Sequence, residues 1–161
     1  MTPEEFKRQL SAIKKDMSRF IQKGAPAIAA AKSASMFRQN FQREHFFGER
    51  WKEVQRRMQS IKRGKKTVKN NAKGADRSRK ILTGKTGNLG RSIKVRIQTS
   101  EAEVFSDAPY ARVHNEGLTS GRGRGKFRMP RRRFIGQHPK VDRAVRDTLQ
   151  TELNKILAKY K

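Results

Sequence analysis

Residues 61–80, IKRGKKTVKNNAKGADRSRK, carry nine Lys or Arg and one acid, Asp76. A run this poor in apolar side chains cannot bury enough surface to offset its ordering entropy, so residues 62–80 read as a solvated basic arm. Within what reads as one domain of 161 residues, it separates a helical part at 1–61 from a small sheet at 81–136 and a C-terminal helix at 137–161. A second run, residues 122–133, has seven Lys or Arg and no acid. It opens as a flexible Gly/Arg stretch, SGRGRGKFR, and becomes strand-like at Phe127 and Met129. The whole chain holds 40 Lys and Arg against 14 Asp and Glu, a formal charge of +26. Such a surface repels itself and seeks polyanions: nucleic acid, an acidic protein or an anionic membrane.

Only 34% of residues are apolar, so the core is expected to be modest and part of the chain to be held by partners. The absence of cysteine excludes disulfides, Cys-based zinc sites and thiol catalysis. No stretch of about 18 apolar residues exists to span a membrane. The opening MTPEEFKRQL is acidic and then amphipathic, unlike a secretory signal, so synthesis and use in a cytoplasm are expected.

Thr2-Pro3-Glu4-Glu5 is a helix start, with Thr2 as cap, Pro3 in the first turn and Glu5 three residues beyond the cap. Phe6, Leu10, Ile13, Met17 and Phe20 follow as one apolar stripe, and Gly24 is expected to end the helix. A second helix is expected from about Pro26 to Phe47, with Phe37 and Phe41 on one face. Trp51, Val54, Met58 and Ile61 keep helical spacing and suggest further turns. Beyond the arm the period changes to two. Ile93, Val95 and Ile97 alternate with Lys94, Arg96 and Gln98, and residues 102–106 form the return strand of a hairpin turning at Thr99-Ser100. Residues 110–115 fit a helical turn or a strand. Residues 126–129 read as a third short strand that Pro130 stops. From Pro139, the positions Val141, Val145, Leu149, Leu153, Ile156 and Tyr160 mark an amphipathic helix. The class is α+β: a small antiparallel sheet packed by N-terminal helices and a long C-terminal amphipathic helix, with basic extended loops.

Catalytic patterns do not form. Gly84-Lys85-Thr86 resembles the end of a phosphate-binding loop, but Arg79 stands where its first glycine belongs, a basic arm precedes it and a strand follows. His114-Asn115-Glu116 lacks the cysteines of a deaminase zinc site, and His45 and His138 have no ligand spacing to it. His114 is expected to hydrogen-bond locally beside a turn at Gly117. No catalytic residue, metal ligand or cofactor is expected, and an enzyme is not.

Four landmarks occur in order. They are Phe46-Phe47-Gly48-Glu49-Arg50-Trp51; Leu82 through Ile93, containing T-G-x-L-x-x-S-I; Tyr110-Ala111-Arg112-Val113-His114-Asn115-Glu116-Gly117; and Met129-Pro130-Arg131-Arg132-Arg133-Phe134-Ile135-Gly136. Together, over about residues 37–160, they resemble the virion morphogenesis or tail completion proteins of tailed bacteriophages, relatives of the HK97-type neck and tail proteins. Two features depart from that pattern: the highly charged arm, and three arginines rather than one before the Phe. The resemblance implies a non-enzymatic subunit of the virion neck or tail that joins head and tail as part of a homo-oligomeric ring around the DNA path. Its partners would be other neck and tail proteins, with possible contact to DNA phosphates and none to a membrane.

The motif positions Trp51, Gly87, Leu89, Ser92, Tyr110, His114, Gly117, Pro130 and Phe134 also have ordinary scaffold roles. Tyr110 and His114, four apart, share a face on a helical turn, and Gly117 permits the positive φ that ends it. The candidate contacts to partner or DNA are Lys62, Arg63, Lys65, Lys66 and Lys69 in the arm, and Arg122, Arg124, Arg128, Arg131, Arg132 and Arg133 in the second run. The alternative reading is a basic nucleic-acid-binding or packaging module. It has the charge but no zinc finger, aromatic RNA-binding strand, zipper or recognition helix.

Overall fold

The computed structural model describes residues 2–63, 66–70 and 74–160. In chain order the elements are helix α1 (Pro3–Arg19), a π turn (Phe20–Gly24), α2 (Ala25–Arg43) and the strands β1 (His45–Phe46) and β2 (Glu49–Arg50). A 3-10 turn (Gln55–Arg57), β3 (Ser60–Arg63), β4 (Lys66–Lys69), α3 (Gly74–Ser78) and α4 (Asn88–Arg91) follow. The chain continues with β5 (Ile93–Gln98), β6 (Glu101–Ser106), α5 (Ala111–Glu116), β7 (Thr119–Ser120), β8 (Phe127–Arg128) and α6 (Pro139–Ala158). The α+β class holds, with small antiparallel sheets packed against helices. Among the described residues the strands pair as four two-stranded ladders, β1–β2, β3–β4, β5–β6 and β7–β8.

The chain forms two compact units. The first contains Met1–Met36, Lys94–Phe105 and Gln137–Lys161; the second contains Phe37–Ile93 and Ser106–Gly136.

In the first unit, Thr2 and Glu5 close the expected capping box: the Glu5 amide donates to Thr2 Oγ1 at 3.2 Å and the Thr2 amide to Glu5 Oε2 at 2.7 Å. Gly24 does not end the helix. The chain widens into one π turn, in which the Ala25 amide reaches back five residues to Phe20 O, and runs straight on into α2. A Cβ at Gly24 would lie 3.0 Å from the Phe20 ring, so glycine is needed for space and not for termination. The turn leaves Gln22 O available, and the Ser100 amide at the tip of the β5–β6 hairpin donates to it at 3.0 Å. Ser100 has φ +63, a left-handed conformation that glycine adopts without penalty. Ser100→Gly is therefore expected to raise stability by about 0.5 kcal/mol, read from the urea midpoint at constant slope.

The core of this unit is thin. Ala30, Ala34 and Val141 are its buried apolar residues, with Pro26 beside them. The α1 stripe is largely uncovered: no residue of α1 is buried, and Phe6 and Leu10 are 56% and 54% exposed. Polar links tie α1 to the end of the chain. Gln9 Nε2 donates to Tyr160 O at 2.7 Å and the Tyr160 hydroxyl to Asp16 at 2.9 Å.

In the second unit, the expected continuation of α2 to Phe47 fails because α2 ends at Arg43. Glu44 (φ +55), Phe47 (φ +52) and Gly48 (φ +119) turn the chain into the β1–β2 hairpin instead. The helical spacing of Trp51, Val54, Met58 and Ile61 is coincidental. That stretch is extended apart from the single 3-10 turn, and Ile61 already belongs to β3. The basic arm is also ordered where it is described. Residues 60–63 pair antiparallel with residues 66–69, and α3 follows. Hydrogen bonds tie this ladder to the preceding turn. Asn70 Nδ2 donates to Gln55 O and Met58 O, both at 2.7 Å, and its amide donates to Gln59 O at 2.9 Å.

Candidate functional site

Three of the four sequence landmarks meet, through Trp51, Asn115 and Phe134 itself, at one segment of the second unit, residues 132–135, which is gripped from several sides. Phe134 is 1% exposed, with its ring 5.1 Å from that of Phe41; Phe41 in turn stands edge-on to Trp51 at 5.5 Å. The backbone beside that ring is held by side chains. Trp51 Nε1 donates to Arg133 O at 2.7 Å and Asn40 Nδ2 to Phe134 O at 3.3 Å. Asn115 Oδ1 accepts from the amides of Phe134 and Ile135 at 2.9 and 3.1 Å. His114 O accepts from the Arg132 amide at 2.9 Å. Unpaired buried backbone groups are costly, so these side chains stand in for the neighbouring strand that the segment lacks.

The remaining scaffold positions belong to the same unit. Leu89 is buried, and Gly87 (φ +66) leads into α4, which carries it. Ser92 Oγ donates to Leu89 O at 2.7 Å and accepts from Ser106 Oγ at 2.6 Å, while the Asp107 amide bonds Ser92 O at 3.1 Å. Those bonds close the base of the β5–β6 hairpin. Residues 110–115 resolve to a helix, and the Tyr110 and His114 rings meet edge-on at 6.1 Å, as their spacing implies. Tyr110 also accepts from Asn88 Nδ2 at 3.1 Å. Gly117 ends α5 at φ +72, and Pro130 is half-buried beyond β8. His114 does not make the expected local hydrogen bond: its Nδ1 is buried with no partner among the described residues. Burial, with the Arg132 guanidinium nearby, holds this imidazole below its ordinary pKa.

The candidate contact residues divide. Lys66, Lys69, Arg122, Arg124, Arg128 and Arg131 are exposed. Lys62 and Arg63 contribute backbone to β3, and Lys65 lies outside the described residues. Arg132 is buried and Arg133 half-buried. Arg132 is 6% exposed and gives Nε to Lys52 O at 2.9 Å and Nη2 to Glu53 O at 3.3 Å. Arg133 lies over the Phe46 ring at 4.5 Å. A guanidinium that satisfies two carbonyls inside the unit, as that of Arg132 does, has a structural role whatever the local charge count suggests.

Sequence reasoning passed over the cluster that anchors the arm. Glu44 accepts both Arg57 nitrogens, at 2.8 and 2.6 Å, and the Ile81 amide at 2.6 Å. Arg56 and Arg57 each donate to Arg79 O at 2.8 Å. The Arg57 hydrogen bonds, joined by the Ile81 amide, hold the Glu44 carboxyl below its ordinary value. A depressed carboxylate stabilises the fold fully above the ordinary value of 4.5, and that stability is lost as pH falls through the lowered one. Glu44→Gln is expected to cost about 1–2 kcal/mol near pH 7 and to flatten the acid limb of the stability–pH curve. Urea unfolding at stepped pH checks both effects.

The charge is unevenly shared. The second unit holds 25 Lys and Arg and 6 Asp and Glu, 25 − 6 = +19 of the total +26. Among the described residues no three His, Asp or Glu are grouped to hold a metal ion, and no helix is long and apolar enough to cross a membrane. What the arrangement offers is a rigid aromatic clamp carrying an exposed cationic surface. A family model described as the phage virion morphogenesis family matches residues 8–154. No curated protein and no solved structure matches the chain.

Proposed function

The chain belongs to the phage virion morphogenesis family, which gives it a role in virion assembly among other virion proteins, and on that premise we propose that it completes the neck or tail end of the particle. In this reading it joins tail to head as a non-enzymatic subunit of a homo-oligomeric ring around the DNA path. The observation that carries the reading is the separation of surfaces. The second unit supplies +19 of charge on a scaffold whose motif residues are occupied with one another. A cationic surface of that strength suits DNA phosphates or the acidic faces of neck and tail proteins. The first unit is less charged, and its apolar side chains Phe6, Leu10 and Ile21 are each more than half exposed. Uncovered apolar side chains of this kind support contact between subunits.

The test is to inactivate the gene in its phage and examine the lysate by electron microscopy. Full heads and separate tails should accumulate, and supplying the chain from a plasmid should restore joined particles. Normal numbers of joined, infectious virions without the chain would overturn the proposal.

A further inference from the structure

We propose that the β7–β8 hairpin is a nucleic-acid-contacting finger. Its closed Gly/Arg tip sets Arg122, Arg124 and Lys126 against backbone phosphates, and Phe127 packs on an adjacent base or sugar face. The inference deepens the neck-or-tail reading, on which it rests, by naming the element that meets the DNA.

Three observations point to it. The first is electrostatic. No acid occurs between Glu116 and Asp142, and Arg122, Arg124 and Lys126 are exposed with no ion-pair partner among the described residues. Arg57, Arg79, Arg96 and Arg112 of other segments are each paired with an acid instead: Glu44, Asp76, Glu103 and Glu116. The second is Phe127, which is 55% exposed, whereas Phe37, Phe41, Phe46 and Phe134 of the same unit are buried. An aromatic ring left in water beside uncommitted arginines matches a nucleic-acid strand better than it matches an acidic protein face. Each nucleotide presents a phosphate and a flat apolar surface side by side, and the guanidinium fork fits phosphate oxygens.

The third is the shape of the tip. Gly121 has φ +96, and a Cβ there would lie 2.5 Å from Gly125 O. The Gly125 amide closes the turn on Arg122 O at 3.0 Å. At the root, Ser120 pairs with Phe127 and Thr119 with Arg128, the Met129 amide bonds Leu118 O at 3.0 Å, and Arg128 Nε donates to Gly117 O at 3.4 Å. The finger is thus a pinched, anchored turn and not a loose Gly-rich loop, so less conformational freedom is lost on contact.

The experiment uses the full chain and a fluorescent mixed-sequence oligonucleotide of about 20 nucleotides, single-stranded and as duplex, with anisotropy read from about 50 to 300 mM salt. The triple variant R122S/R124S/K126S should flatten the dependence of log affinity on log salt by about two to three. Phe127→Ala should weaken binding roughly tenfold at unchanged slope. Gly121→Ala keeps every charge and should weaken binding several-fold by opening the neck of the turn. A control losing the same charge from exposed positions on α1, K7S/K14S/K15S, should change the slope by less than one. Preference for the single strand assigns Phe127 to a base and preference for the duplex assigns it to a groove; both support the finger. Equal losses in the two triple variants, or wild-type binding by both Phe127→Ala and Gly121→Ala, would overturn it. Competition by poly-glutamate as effective, per charge, as by DNA would also overturn it, in favour of an acidic protein partner. Mass spectrometry of purified virions reads the neck-or-tail premise separately, because the chain's absence from particles would sink that premise whatever the oligonucleotides show.

Discussion

Replacing Phe134 by alanine is expected to cost about 3–5 kcal/mol, a large share of the 5–15 kcal/mol that typically separates a folded domain from its unfolded chain. The side chain is 1% exposed and touches the Phe41 ring, which also contacts Trp51, so its removal leaves a cavity where three of the four landmarks meet. The cavity cannot close readily. Asn40, Trp51 and Asn115 fix the backbone on either side through hydrogen bonds that a collapse would break. Urea unfolding of the purified chain measures the loss. Phe134→Leu retains most of the volume and should cost less than about 1.5 kcal/mol. If the alanine variant were as stable as the leucine variant, the clamp would not be what holds this unit together.

Gly117→Ala should be the second severe change, at about 2–4 kcal/mol. The residue has φ +72, which costs alanine about 1–2 kcal/mol by itself. The new Cβ would also lie 2.9 Å from both the backbone nitrogen and the Cβ of Arg131. That neighbour cannot step aside cheaply, because the next residue, Arg132, is bound through its amide to His114 O and through its side chain to Lys52 O and Glu53 O. The same substitution at Gly123 should be milder. Its φ is +54 but nothing lies within 4 Å of the added Cβ. The two variants, compared by urea midpoint, separate backbone conformation from close approach.

Where local chemistry decides, the sequence was readable. Thr2 and Glu5 announce a capping box whatever packs against the helix, Pro139 opens α6, and the alternation of residues 93–98 gives a strand. Positions decided by distant partners were not. Gly24 looks like a helix end until the Phe20 ring is seen to occupy the space of its missing side chain. A charge count places Arg132 on the surface, because nothing local says that its guanidinium will meet two carbonyls some eighty residues away in the chain. The arm looked too polar to order, yet Asn70, Glu44, Arg56 and Arg57 hold its two ends through hydrogen bonds. Asn40 carried a usable signal, as a polar residue between Phe37 and Phe41 that is 2% exposed. The stripe on α1 shows the opposite limit. Periodicity identifies an apolar face, and Phe6 and Leu10 show that it does not say what covers that face.

The motif positions and the cationic positions thus do different work. The former make a clamp that holds one segment in place, and the latter stand exposed on the same unit, where the proposed function needs them. The most direct measurement is cryo-electron microscopy of the intact virion, with the second unit fitted to the density at the junction of head and tail. The account requires several symmetry-related copies there, with the β7–β8 hairpin of each turned toward the DNA path. Virions that lack the chain altogether, or that hold it with this hairpin directed into bulk solvent, would contradict it.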